Sequence, residues 1–282
     1  MQTDIPLLKV LIADSNDKTA ENIVAALEPW KGGIVWESTS SGEQTFDSLI
    51  NKQPDIAFID ITNLSGCSGP EVVARARKQG NTSLIILMSQ MVLPQWVALT
   101  TEVGAYEFLR KPFNPSDIDA IVQTYFKMKN ETRVLLVEPA PTARQILQRM
   151  MTASQFNMAV EETDNGAHAL KLVKFSHYNV AFVDLHLPGL GGLEVACQLQ
   201  SQCPDLSVVL MSGHKSGSLA TTAERFGIGF HLNKPFFKLD LDIMMHNVLK
   251  LRRTYLHNAL LRNQNVQKEI AEKQALLSTS NA

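Results

Sequence analysis

The chain carries one pattern of polar residues twice. Asp60 and Asp184 lie 124 positions apart, as do Asp14 and Glu138, while Ser89 and Ser212 lie 123 apart, as do Lys111-Pro112-Phe113 and Lys234-Pro235-Phe236. Four polar positions that hold one offset to within a residue mark a duplicated domain, and a duplication constrains the fold more than any single motif. In each copy an acid closes an apolar run: Ile56-Ala57-Phe58-Ile59-Asp60 and Val180-Ala181-Phe182-Val183-Asp184. Such runs are what strands buried on both faces of a parallel sheet look like. Ligand chemistry in these sheets gathers just beyond the strands' carboxyl ends. An acid there is badly placed for packing; it either caps the next turn or does chemistry, and its recurrence favours chemistry.

At 282 residues the chain has room for two domains, each with its own core. Hydrophobic content of 45% and charged content of 19% indicate a globular protein. No apolar run approaches the roughly 20 residues that span a bilayer, and Met1-Gln2-Thr3-Asp4-Ile5-Pro6 lacks the zones of a signal peptide. The three cysteines, Cys67, Cys197 and Cys203, form neither CxxC nor an even framework, so a reducing cytoplasm is the expected home. A net charge of −2 argues against a nucleic-acid surface; the positive residues cluster in the tail, at Lys250, Arg252, Arg253, Arg262, Lys268 and Lys273, as on a solvated helix face.

Strand and helix patterns alternate five times in each half. In the first half, strands are expected at Leu7–Ala13, Ile34–Trp36, the run ending at Asp60, Leu84–Met88 and Ala105–Leu109. Helices are expected at Asp17–Glu28, Gly42–Ile50, Pro70–Lys78, Gln95–Val103 and Ser116–Lys127, the last capped by Asn114 or Ser116. In the second half, strands are expected at Arg133–Val137, Met158–Glu162, Asn179–Val183, Ser207–Met211 and Gly229–Leu232. The helices between them are Thr142–Ala153, Gly166–Phe175, Leu193–Gln200 and Ser218–Phe226. The alternation predicts α/β architecture: two flavodoxin-like, doubly wound parallel sheets of five βα units each. Domain limits follow at 1–130 and 131–250, with the polar break Lys129-Asn130-Glu131-Thr132 between them.

From Asp240 to Leu277 there is no Gly or Pro, and Leu249, Leu256, Asn263, Ile270 and Leu277 recur every seven residues. A long carboxyl-terminal helix is expected, with residues 251–282 as an extension. It forms a coiled coil whose register Asn263 fixes, packs on its own domain, or frays.

Both halves resemble the receiver domain of two-component response regulators, over residues 5–129 and 131–250. The resemblance implies that Asp60 and Asp184 accept a phosphoryl group from a histidine kinase or phosphotransfer protein, that Ser89 and Ser212 are switch hydroxyls, and that Lys111 and Lys234 contact the phosphoryl group. It makes Phe108 a switch aromatic and places His231 at the matching position. Magnesium is the implied cofactor, with Asp14 and Asp60 as ligands in one half, and Glu138 and Asp184 in the other. The chemistry calls for these types: an anionic nucleophile meeting an anionic phosphoryl group needs a cation and a lysine to neutralise the oxygens.

Departures from the pattern are specific. Ser15 and Pro139 stand where a second metal-binding acid is expected, which implies weak magnesium binding. Asp17 reads as a helix cap rather than a ligand. The loop after Asp60 lacks a proline and is one residue longer than the loop carrying Pro188 and Gly192. All seven histidines lie in the second half without paired ligand spacing. His257 lacks the neighbours of a kinase phospho-histidine and reads as a surface residue.

The reading is thus a non-enzymatic signalling protein that is phosphorylated on aspartate, switches protein contacts, and forms a homodimer through the second domain and carboxyl-terminal helix. No nucleic-acid or membrane partner is expected. The alternative is a phosphorylation-independent scaffold of receiver shape. A flavin-binding relative of the same fold is disfavoured by the acidic loop Asp14-Ser15-Asn16-Asp17.

Overall fold

The computed structural model describes residues 7–30, 33–62, 64–91, 96, 99–100, 102–213, 223 and 225–251. The chain divides into two compact units, one through Tyr125 and one from Phe126. In the first, β1 (Leu8–Ala13), β2 (Ile34–Thr39), β3 (Ile56–Asp60), β4 (Leu84–Ser89) and β5 (Glu107–Arg110) form one sheet in the order β2-β1-β3-β4-β5. All pairings are parallel. The described helices are α1 (Asp17–Leu27), α2 (Gly42–Asn51), α3 (Gly69–Lys78) and α4 (Pro115–Lys129). Of the helix expected at Gln95–Val103, residues 96, 99, 100 and 102 are helical, and residues 95, 97, 98 and 101 lie outside the described residues.

The second unit repeats this plan. Its strands β6 (Thr132–Val137), β7 (Met158–Thr163), β8 (Val180–Asp184), β9 (Ser207–Ser212) and β10 (Phe230–Asn233) pair in parallel in the equivalent order, β7-β6-β8-β9-β10. Around them run α5 (Pro141–Thr152), α6 (Gly166–Phe175), α7 (Gly192–Gln202) and α8 (Lys238–Val248). Most of the segment expected to be helical at Ser218–Phe226 is outside the described residues.

The strands form where continuous apolar runs can be covered on both faces. Every residue of β3 and of β8 is buried, the terminal acids included. Leu11, Ala57, Ile59, Ile85 and Leu87 pack with Val72, Val73 and Phe108 in the first core. Leu135, Ala181, Val183, Val208 and Leu210 pack with Val195 and Leu199 in the second.

Helix ends depart from expectation at three places. The cap of α1 is Asn16, whose side chain accepts from Lys18 N–H at 3.1 Å, and Asp17 is the first helical residue instead. Ser116 lies inside α4, whose Asp117 carboxylate accepts from Asn114 N–H at 3.0 Å. The helix from Asp240 does not run on into the sevenfold repeat. It ends at Val248, with Lys250 at φ 52°, Leu251 N–H bonded to His246 O at 2.8 Å and Lys250 N–H to Asn247 O at 3.2 Å. That paired closure satisfies the last carbonyls and stops a helix. The expected extension at 251–282, and with it the coiled-coil alternative, lies outside the described residues from 252 on.

Candidate functional site

In each unit the parallel strands deliver their last residues to one sheet edge. Asp14 follows β1, Asp60 ends β3, Ser89 ends β4 and Lys111 follows β5. Glu138, Asp184, Ser212 and Lys234 hold the same stations on β6, β8, β9 and β10. The crossover connections make this convergence possible, because every strand points the same way.

Lys111 bridges two buried carboxylates. Its Nζ lies 2.5 Å from Asp60 Oδ2 and also pairs with Asp14 Oδ2. The remaining oxygens are held by backbone: Asn16 N–H donates to Asp14 Oδ1 at 2.9 Å, and Thr62 N–H to Asp60 Oδ1 at 2.8 Å. Lys234 does the same in the second unit. It lies 2.5 Å from Glu138 Oε2 and pairs with Asp184 Oδ2. Ala140 N–H donates to Glu138 Oε1 at 3.1 Å and His186 N–H to Asp184 Oδ1 at 2.6 Å. Burial disfavours the Lys234 ammonium, but Asp184 and Glu138 outweigh that and hold it above the ordinary amine range. Glu138, one methylene longer than Asp14, therefore makes the same two contacts, to the lysine and to the N–H two residues on.

The longer loop after Asp60 is absorbed without moving its end. Gly69, nine residues after Asp60, and Gly192, eight after Asp184, each back onto the acid's carbonyl; a Cβ would come within 2.2 Å and 2.0 Å of those oxygens. Gly69 N–H bonds to Ile61 O at 3.2 Å, and Gly192 N–H to Leu185 O at 3.0 Å, so both helices start from one anchor. Asn63, within the longer loop, is outside the described residues.

The peptides Lys111-Pro112 and Lys234-Pro235 are both cis. Lys111 N–H donates to Ser89 O at 2.8 Å and Lys234 N–H to Ser212 O at 2.7 Å, tying each lysine to its serine strand. The units differ around the hydroxyls. Ser89 Oγ accepts from Met91 N–H at 3.3 Å, and Phe108 is buried with its ring 6.3 Å from that of Trp96. Ser212 Oγ instead lies 3.0 Å from His231 Nε2. Burial lowers the His231 imidazole below the usual histidine range.

Sequence reasoning missed Thr62 and His186, whose amides orient the acids; their shared offset of 124 was the available signal. It also missed Arg144, whose guanidinium donates to Glu138 O at 2.7 Å and lies 3.6 Å from Glu162. The matching position in the first unit is Ala20, so the offset alone does not reveal Arg144.

Among the described residues no three His, Cys, Asp or Glu side chains gather as a metal cluster. Each pocket offers two carboxylates, the hard oxygen type that magnesium takes alongside water and phosphate oxygens. The donor type fits the ion. The set is one acid smaller than expected of the family, at Ser15 and Pro139.

Fold and pockets together define a class: tandem doubly wound domains, each presenting a carboxylate pair and a lysine at the carboxyl edge of its sheet. Residues 10–123 and 134–246 both match the response regulator receiver domain, and the chain belongs to that family. It is 33% identical over 133 residues to the C4-dicarboxylate transport transcriptional regulatory protein DctD of Pseudomonas aeruginosa, covering 47% of this chain and 28% of that one. It is 27% identical over 128 residues to the cell cycle response regulator CtrA of Brucella ovis, covering 45% and 54%. The chain thus spans only about a quarter to a half of the length of these curated relatives. A solved two-component response regulator/GGDEF domain protein shares the fold, with a TM-score of 0.60 and 17% identity over 86% of this chain and 98% of its own. Receiver domains are signalling rather than catalytic modules and in general imply a histidine kinase partner. Among the described residues no helix is long and apolar enough to cross a membrane.

Proposed function

We propose that this chain accepts phosphoryl groups from a histidine kinase or phosphotransfer protein on Asp184 and on Asp60, and passes the signal on by changing protein contacts. The observation that carries the reading is the lysine bridge made twice, Lys234 across Asp184 and Glu138, Lys111 across Asp60 and Asp14. Asp184 is the first site, because its loop keeps the family spacing through Pro188 and Gly192.

In the transfer, a carboxylate oxygen of Asp184 attacks the phosphorus of a phosphohistidine. The O–P bond forms as the P–N bond breaks, and the imidazole leaves with the electron pair and takes a proton from solvent. Lys234 offsets charge on the oxygens throughout, and His186 N–H keeps the second carboxylate oxygen turned aside. Glu138 and Asp184, or Asp14 and Asp60, would hold Mg2+, which supplies further neutralisation of the phosphoryl oxygens. Ser212 or Ser89 then turns its hydroxyl toward the new group, a local electrostatic change with a wider readout.

The working boundaries remain 1–130 and 131–250, with 251–282 as an extension that brings two copies together through the second unit. Incubation with acetyl phosphate and Mg2+ followed by intact-mass measurement tests the reading. One phosphoryl mass is expected on the Asp60→Asn variant and none on the Asp60→Asn/Asp184→Asn double variant. A wild-type chain that gains no mass would leave the scaffold reading in its place.

A further inference from the structure

The two pockets share their carboxylates and lysines but not the group beside the switch hydroxyl. In the first unit the residue at the matching position is Phe108, whose phenyl has no proton to exchange. In the second it is the His231 imidazole, 3.0 Å from Ser212 Oγ through Nε2. We infer that His231 is a positioning residue for Ser212, and that its proton state decides whether the hydroxyl is free to turn to a phosphoryl group on Asp184. This rests on the phosphoryl-acceptor reading above and deepens it.

The argument is one of hydrogen-bond direction. A neutral imidazole with Nε2 unprotonated accepts the Ser212 O–H and ties it to the ring. An imidazolium donates from both nitrogens, so Ser212 becomes the acceptor toward His231 and its own proton is released for another oxygen. A phosphoryl group brings a charge of about −1.5 to −2, and it would sit on β8, the strand next to the one that carries Ser212. Such a charge favours the imidazolium and also needs the donated hydroxyl. Phosphorylation and proton uptake therefore promote each other, as linkage requires of any two coupled events. Burial lowers the imidazole below the usual histidine range and so favours the neutral ring before the event.

The charged and titratable groups on the surrounding described elements are few. β9, the strand paired with β10, has none. At the strand ends stand Lys234, Asp184 and Glu138, already joined to one another. On α8, which packs against β10, are Lys238, Asp240, Asp242 and His246; Lys238 is paired with Asp242, and His246 Nδ1 faces Asp242 O. Asp240 is engaged by Phe237 N–H.

The test is NMR titration of the imidazole resonances of the full chain with and without acetyl phosphate and Mg2+, with intact mass recorded on the same samples. His231→Phe assigns the His231 signal among the seven histidines. The expected result is an upward shift of the His231 midpoint by about one pH unit or more on phosphorylation, absent from Asp184→Asn. The unphosphorylated Ser212→Ala variant should also move the midpoint, which a ring that merely fills space would not show. A phosphorylated Asp184 with an unmoved His231 midpoint overturns this inference alone. Absence of any phosphoryl mass on Asp184 overturns the acceptor reading, and the inference with it.

Discussion

Gly192 backs onto the carbonyl of Asp184 so closely that a Cβ there would lie 2.0 Å from the oxygen. This contact places the start of α7 directly behind the acid, and Gly69 does the same for Asp60 at 2.2 Å. The obstacle is backbone, which cannot swing aside as a side chain does. Gly192→Ala is expected to destabilise the second unit by about 1–3 kcal/mol, the usual range for overpacking. Urea denaturation checks it; an unchanged midpoint would show that the helix start shifts freely.

Lys111 is deeply buried, with a side chain only 10% exposed between Asp14 at 0% and Asp60 at 4%. Lys111→Met leaves two buried carboxylates facing each other without a cation. A loss of about 3–5 kcal/mol is expected, as for other broken buried pairs. Adding Asp14→Asn should restore part of it, because one of the two repelling charges is gone. Lys234 is 26% exposed, so water compensates and Lys234→Met should cost less. Calorimetry on the two single variants gives the order.

His246 is buried on α8, with its ring edge-on to Phe156 and Nδ1 facing Asp242 O. Burial lowers it below the ordinary value of 6.5, and the Asp242 carbonyl and charge recover only part of that. The unfolded chain therefore binds the proton first as pH falls. Stability is intact above about pH 6.5 and declines as pH drops from there through the folded value, by at most about 1.4 kcal/mol per pH unit for each proton taken up. Denaturant titrations between pH 5 and 8 should show this slope for the native chain and a shallower one for His246→Leu. For Lys234 the sign reverses: its contribution is present below 10.5 and is lost as pH rises past that value.

Lys250 adopts φ 52° at the close of α8, in the left-handed region where a side chain costs energy and glycine does not. Lys250→Gly is expected to raise stability by about 0.5–1 kcal/mol. Lys250→Val should lower it, since a β-branched residue resists that conformation. A thermal-shift series across the three chains is sufficient.

Association through the extension predicts a lower solution mass per particle for a chain ended at residue 250 than the dimer mass of the full chain. Light scattering on both decides it. Equal oligomeric states would remove the extension from the interface, whatever its conformation.

Much of this protein was legible from the residues alone, for a physical reason. Strands buried on both faces must be apolar throughout, so Asp60 and Asp184 stand out as acids ending such runs, and duplication doubles the signal. The parallel order followed from alternation, because a parallel pair needs a crossover. Charge and spacing did not reveal what lies between chain-distant atoms. That Glu138 reaches Lys234 as Asp14 reaches Lys111, that a nine-residue loop ends on the same anchor as an eight-residue one, and that Ser212 meets His231 all depend on three-dimensional proximity. The helix after Asp240 makes the same point: helix-forming residues run on past Lys250, yet backbone closure on His246 and Asn247 ends α8 at Val248. Sequence by itself determined the fold class, the duplication and the acids and lysines, since buried polarity is conspicuous at any single position. Tertiary structure alone decided which groups meet, because hydrogen bonds depend on tenths of an ångström that no spacing along the chain encodes.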